Sequence, residues 1–188
     1  MANYAHEIFP TTIWGFTAQF APGYLEKVAT TIIEMSKVLP NRDRSNFLGW
    51  QSHDDLYKYD WVQNIIRPIM STANSEILEK YKEFGETPFE LESMWANVNL
   101  PNAFNMGHIH GAEISGVFYV KVPEKDSGRL VLVDPRTRVN MSEKRLRALN
   151  FPVDPKEGTF VLFPSWLEHY VEPNQSDDIR ISISFNLK

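Results

Sequence analysis

The sequence contains no cysteine in its 188 residues. That removes disulfides, thiolate metal sites and cysteine nucleophiles together, and leaves histidine and carboxylates as ligands for any metal. It also lacks a long apolar run: no stretch approaches the roughly 18 uninterrupted apolar residues of a spanning helix. The opening MANYAHEIFPTTIWGF has neither the basic start nor the apolar core of a secretory signal. Basic residues are scarce as well, with 19 Lys and Arg against 24 Asp and Glu and a net charge of -5, which argues against a nucleic-acid binder. These absences point to a cytoplasmic chain away from membranes, and a cysteine-free composition suits a reducing compartment. Asn140-Met-Ser142 and Asn174-Gln-Ser176 match the glycosylation pattern, but with no secretion signal they are chance matches. What is present, 43% hydrophobic and 23% charged residues, is the composition of one globular domain, residues 1–188, with a complete core.

The chain changes character near its middle. An opening strand is expected at about residues 7–16. Pro22 then sits in a first helical turn, and Leu25, Val28, Ile32, Met35 and Leu39 recur at helical spacing until Pro40. Residues 41–59 read as irregular. A second helix is expected from Asp60, as N-cap, through Ile65, Ile69, Ile77, Tyr81 and Phe84 to Gly85, with Pro68 kinking it or marking its true start. Residues 1–87 thus form an N-terminal strand and supporting helices.

Residues 88–188 read as a run of strands: 89–100, 113–122, 129–133, 158–163, 168–171 and 179–187. In the last, Ile179, Ile181, Ile183, Phe185 and Leu187 share one face, while Arg180, Ser182, Ser184 and Asn186 share the other. The apolar face suits packing under the helices; the polar face is either solvated or turned into a barrel. Two helices before six to eight short strands give an α+β class with a jelly-roll or small barrel.

Five histidines occur. His108 and His110 are spaced so that both imidazoles fall on one face of an extended segment and can reach one ion. His169, at the start of a late strand, is the candidate third ligand, and imidazole alone does not choose among Fe, Zn, Cu and Ni. His6 and His53 lack such a context. Arg180 is either a surface cation paired with Asp177 or Asp178, or a guanidinium inside the barrel awaiting a carboxylate.

These segments, with Ser115-Gly-Val-Phe-Tyr-Val120, Val133-Asp-Pro-Arg136 and Leu162-Phe-Pro-Ser-Trp166 between them, resemble the Fe(II)/2-oxoglutarate-dependent oxygenases. The likeness is to a branch of small phage and bacterial proteins related to the prolyl-hydroxylase type, and it spans about residues 90–188. It implies a double-stranded β-helix, Fe(II) and 2-oxoglutarate as cofactors, and O2 as a further reactant. It also implies hydroxylation of a substrate coupled to decarboxylation of 2-oxoglutarate. For a phage-encoded chain the compartment is the host cytoplasm. By this resemblance His108 and His169 are metal ligands, and Arg180 and Tyr119 receive the far carboxylate of 2-oxoglutarate. Ser184, Asn97 and Asn99 are further contacts to it.

The sequence departs from the family at the second ligand, where an acid is usual and His110 stands. Three explanations compete: His110 itself ligates in an all-histidine site, Glu113 supplies the carboxylate instead, or the position is open. Residues 134–155 carry Arg136, Arg138, Lys144, Arg145 and Arg147 between two strands. They read equally as a lid suited to a peptide or acidic substrate and as a solvated helix at 142–149. Arg136 and Trp166 are the candidate substrate contacts. Two other readings stay open: a cupin-like isomerase or three-histidine dioxygenase, and a non-enzymatic metal-binding jelly-roll. The sequence leaves room for a homodimer.

Overall fold

A computed structural model of the chain describes residues 9–85, 87–136 and 149–188. Its opening strand β1 (Trp14–Thr17) is shorter than expected, and α1 (Tyr24–Val38) follows. Of the expected helical repeat Val28 and Ile32 are buried together with Ala29, Leu25 and Met35 pack half-buried against the core, and Leu39 falls just past the helix and is exposed. Asp60 does not cap a helix but opens a single 3₁₀ turn, Asp60–Val62, before α2 (Gln63–Thr72). Pro68 lies inside α2, where it removes one ladder hydrogen bond. The segment then widens into a π turn at Ala73–Ile77 and closes with α3 (Leu78–Tyr81). Ile65, Ile69, Ala73 and Ile77 nevertheless keep one continuous buried face. Tyr24 ties the two helical layers together by donating its hydroxyl hydrogen to Trp61 O at 2.7 Å.

Residues 41–59, expected to be irregular, contain a strand, β2 (Asn46–Gln51). Then come β3 (Leu91–His108), β4 (Ile114–Lys121), β5 (Leu130–Val133), β6 (Asn150–Val153), β7 (Thr159–Pro164), β8 (His169–Val171) and β9 (Arg180–Leu187). The described strands form one antiparallel, curled sheet in the order β1-β7-β4-β9-β3-β8-β5-β6, with β2 added beside β3. This is the double-stranded β-helix of a jelly-roll. The α+β class, with its N-terminal supporting helices, agrees with the expectation from the sequence.

The two faces of the sheet have separate jobs. Ile181, Ile183, Phe185 and Leu187 of β9 pack with α1, α2 and Phe118, Phe160 and Leu162 in the main core. Each such fully buried side chain contributes roughly 1.5–3 kcal/mol. Inside the curl a smaller cluster, including Leu130, Leu132, Val161, Phe163 and Leu167, fills one part of the interior. The rest of that interior is open and polar.

One strand connects both parts. β3 pairs with β9 from Leu91 to Asn99, then turns a corner and pairs with β8 at Asn105 and His108. The corner contains Pro101 and Asn102, the latter at φ 67°. Asn174, fully buried, clamps it. Its side-chain amide donates to Asn99 O at 3.1 Å, its backbone N–H donates to Ala103 O, and its carbonyl accepts from Asn102 N–H. The second apparent glycosylation acceptor is therefore a structural pin.

Gly116 on β4 marks the tightest contact beneath the helices. A Cβ there would overlap the Phe185 ring and come within 2.9 Å of Val161 O. Gly116→Ala should lower stability by about 1–3 kcal/mol through overpacking, read as a lower denaturant midpoint with an unchanged slope.

Candidate active site

Directly opposed residues of antiparallel strands share a face, and three rungs of polar side chains result. Ser93, Asn186 and Ser115 form the first; Gln51, Asn97, Ser182 and Tyr119 the second; Asn99 and Arg180 the third. All line a cavity of about 520 Å³ that also receives His108, His110 and His169. The polar face of β9 is thus the wall of a chamber, and Arg180 is 2% exposed.

The first rung is closed on itself. Ser165 Oγ donates to Ser115 Oγ (2.8 Å), which donates to Asn186 Oδ1 (2.8 Å), and Asn186 Nδ2 donates to Ser93 Oγ (3.0 Å). The carbonyl of Ser165 accepts the His110 backbone N–H at 3.0 Å, so this network also fixes the chain carrying that histidine.

His108 and His169 face one another across the β3–β8 pair, and His110 follows two residues on. Ligand nitrogens of all three lie within 4.8 Å of one another. His108 Nδ1 bonds Met106 O at 2.7 Å and His169 Nδ1 bonds Leu167 O at 2.9 Å. An Nδ1–H given to a carbonyl leaves Nε2 unprotonated and turned outward as a donor to a metal. Burial disfavours the imidazolium, lowering His110 to about 4 and His169 to about 3, and lowering His108 as well. Neutral imidazole is the form that binds a metal, so the donor set fits an ion such as Fe(II). Glu113, the carboxylate alternative, has an exposed side chain and is outside this cluster. It precedes β4, with its backbone held by Leu187 O and Ser165 N–H. His53 bonds Arg42 elsewhere on the surface, and His6 lies outside the described residues.

At the other end of the cavity Arg180 donates from Nη1 to Ser127 O and Gly128 O, both at 2.8 Å. No carboxylate pairs with it among the described residues; Glu172 is instead forked onto Arg129 at 2.8 Å. Asp177 and Asp178, considered as its surface partners, do not meet it, and Asp178 pairs with Lys121. Burial draws the guanidinium down to about 10. The Tyr119 hydroxyl and Asn97 Oδ1 are buried without any hydrogen-bond partner, and burial pushes the Tyr119 phenol up. Asn97 Nδ2 is committed to Ser184 Oγ at 3.1 Å. An orphaned phenol donor beside a buried cation with no carboxylate partner among the described residues suits an anionic ligand, whereas Asn97 Oδ1, an acceptor, calls for a donor.

Gly128 makes the close approach of Arg180 feasible. It has φ 76°, and a Cβ would collide with Glu172 O, lie 2.8 Å from Pro173 O and 3.0 Å from Arg180 Nη1. The remaining candidates are elsewhere. Trp166 is 54% exposed and does not line the cavity. Arg136 pairs with Asp134 beside a separate hollow near Phe151 and Leu167. Arg138, Lys144, Arg145 and Arg147, and most of the expected lid, fall outside the described residues. Arg44, Gln51 and Asp54 also line the cavity and carry no mark in the sequence; Ser93 and Trp95 line it too. For Ser93 and Trp95 a signal does exist, since they share strand parity with Asn97 and Asn99.

The sequence model of the family described as 2OG-Fe(II) oxygenase matches residues 93–186, half of the chain. The chain belongs to this family. It is an oxygenase that depends on Fe(II) and 2-oxoglutarate, which selects that reading over the cupin-like and non-enzymatic ones. No curated protein matches it in sequence. In structure it is similar to a prolyl-4-hydroxylase of Pseudomonas putida, with TM-score 0.68, 14% identity, and coverage of 95% of this chain and 92% of that one. It is also similar to the viral collagen prolyl hydroxylase of Paramecium bursaria Chlorella virus-1, solved with 2-oxoglutarate (0.63, 15% identity, 93% and 94% covered). A third likeness is to HygX of Streptomyces hygroscopicus, solved with nickel, 2-oxoglutarate and hygromycin B (0.61, 11% identity, 94% and 82% covered). At these identities the structural likenesses speak for the fold. No helix among the described residues is long and apolar enough to cross a membrane.

The lowered histidines make a pH prediction for the metal-free protein. Unfolded imidazoles take up protons near pH 6.5, while in the folded site His110 does so only near 4 and His169 only near 3. Between these values the unfolded chain binds more protons, so stability rises with pH across that window and is lost on acidification. In chelator, the urea midpoint should fall from pH 7 to pH 4.5, and His169→Gln should lessen the fall. An equal fall in both proteins would contradict this.

Proposed function

We propose that His108, His110 and His169 hold the iron and that Arg180 receives the far carboxylate of 2-oxoglutarate. Tyr119 donates its hydroxyl hydrogen to the same carboxylate, and Ser184, Asn97 and Asn99 form the floor beneath the chain of the co-substrate. The observation that carries this reading is the cavity itself. It has three neutral imidazoles at one end and, at the other, a buried guanidinium with no anion of its own among the described residues. The bound iron supplies activation of dioxygen, coupling decarboxylation of 2-oxoglutarate to hydroxylation of a C–H bond in a second substrate.

The protein's own part is positioning and exclusion of water. Arg180 is locked against two carbonyls through Nη1, which leaves the rest of its fork for a bidentate carboxylate. Tyr119, kept protonated by burial, remains a donor at all ordinary pH values. The Ser165–Ser115–Asn186–Ser93 chain fixes the wall beside His110, so the imidazole needs little reordering to ligate. Leu130 and Phe163 close the far side of the cavity with apolar surface.

Anaerobic addition of Fe(II) and then 2-oxoglutarate should produce the visible charge-transfer band of a chelated keto-acid. Arg180→Ala should weaken the 2-oxoglutarate titration of that band by on the order of a hundredfold, since truncating one partner of a buried charge pair costs about 2–5 kcal/mol. Absence of the band in the wild type would end the assignment. Gly128→Ala, which pushes on Nη1 without touching the charge, should weaken the same titration by roughly tenfold, or about 1.4 kcal/mol.

A further inference from the structure

The charge inside the cavity bears on the second substrate. Three neutral imidazoles do nothing to offset a dication, Arg180 adds another positive charge, and 2-oxoglutarate brings only two negative ones. With no carboxylate among the ligands, the loaded cavity keeps a net positive charge. Apart from the histidines and Arg180, the charged residues lining it among the described residues are Arg44 and Asp54, on the segments leading into and out of β2. Asp54 already faces Arg42 at 3.7 Å. Arg44 is exposed at the mouth, and its guanidinium has no ion pair or hydrogen bond among the described residues.

Gln51 supplies an independent observation. It is 4% exposed and lines the cavity, yet its carboxamide has no hydrogen-bond partner among the described residues. Its backbone is satisfied separately, by Asn41 Oδ1 and by the Arg42 N–H. Directly opposite on β3 is Asn97, whose Oδ1 is orphaned. 2-Oxoglutarate is a dianion with no N–H or O–H, so it cannot satisfy a carbonyl acceptor. A group that both donates and accepts, such as an amide, answers Gln51 and Asn97 together.

We propose that Arg44 and Gln51 are the specificity-determining residues for the primary substrate, which carries a carboxylate and a nearby amide. This rests on the co-substrate site described above. The shared chemistry occurs in an acylated acidic amino acid and in an acidic residue within a polypeptide. The mouth has exposed apolar side chains, Met106 and Ile109, at 52% and 60% exposure, to meet flanking residues in the latter case.

The test uses full-length protein loaded with Ni(II) in place of iron and saturated with 2-oxoglutarate. The probes are N-acetyl-glutamate N-methylamide, its glutamine counterpart, and a capped pentapeptide with one central glutamate. Binding is read by saturation-transfer NMR, and the charge-transfer band of the iron form is recorded on the same preparation. Binding of a glutamate probe at least tenfold tighter than the glutamine probe, lost in Arg44→Gln and weakened in Gln51→Leu, is the expected result. Binding of the pentapeptide alone would identify the polypeptide source, and binding of both glutamate probes the smaller one. Equal binding of glutamate and glutamine probes, or unchanged affinity in Arg44→Gln, would overturn the inference. Formation of the band with no probe bound would overturn it while leaving the co-substrate site intact. Absence of the band would remove both.

Discussion

A guanidinium withdrawn from water is costly unless something answers its charge, and Arg180 is 2% exposed and, among the described residues, hydrogen-bonded to two carbonyls. Much of the surrounding architecture can be understood as tolerating that group. Gly128 has no side chain, so its carbonyl can come up to Nη1. Glu172, an acid whose charge reaches it, is drawn away by Arg129. Three strands, β3, β4 and β9, present asparagine, tyrosine and serine toward the same space instead of apolar residues. The protein therefore holds an electrostatic demand in the middle of its barrel, which the dicarboxylate proposed for this site would meet.

The histidine end of the cavity follows the opposite logic. There the burial penalty is used to keep three bases free of protons, and two of them are oriented by carbonyls two residues earlier in the chain. The i−2 carbonyl contact occurs at both His108 and His169, on opposing strands, so the pair is symmetrical in its support as well as its position. His110 has a different support: the serine network holding its backbone and the Trp95 ring 5.6 Å from its own.

Much of this is legible in the residues, for identifiable reasons. β9 alternates without interruption, so the alternation alone assigns its apolar face to the core and leaves its polar face open between solvent and a barrel interior. In α1 the spacing likewise marks the face that meets the core, with Val28 and Ile32 buried and Leu25 and Met35 half-buried against it. The histidine pair is legible because two residues of separation is the period of a strand. What stays hidden depends on contacts far apart in the chain. β2 contains Gly49 and a positive-φ Leu48, shows no clean alternation, and exists because β3 pairs with it across more than 40 residues. Gln51 and Arg44 are hidden with it. β6 is short, includes Pro152, and lies at the sheet's edge beyond β5. Trp166 resembles a cavity residue because it sits near His169 in sequence, but it follows a turn at Ser165 and faces out.

The bent strand β3 carries Asn97 and Asn99 before its corner and His108 after it. Because one uninterrupted strand spans both ends of the chamber, the distance between them cannot be retuned by lengthening a loop. Insertion of a residue would flip the parity of every side chain beyond the corner, and the Asn174 clamp would lose its partners. The margin around β2, where Arg44 and Asp54 line the mouth, lies outside that constraint. The chamber's length is inherited as a fixed gauge, while its doorway is free to drift.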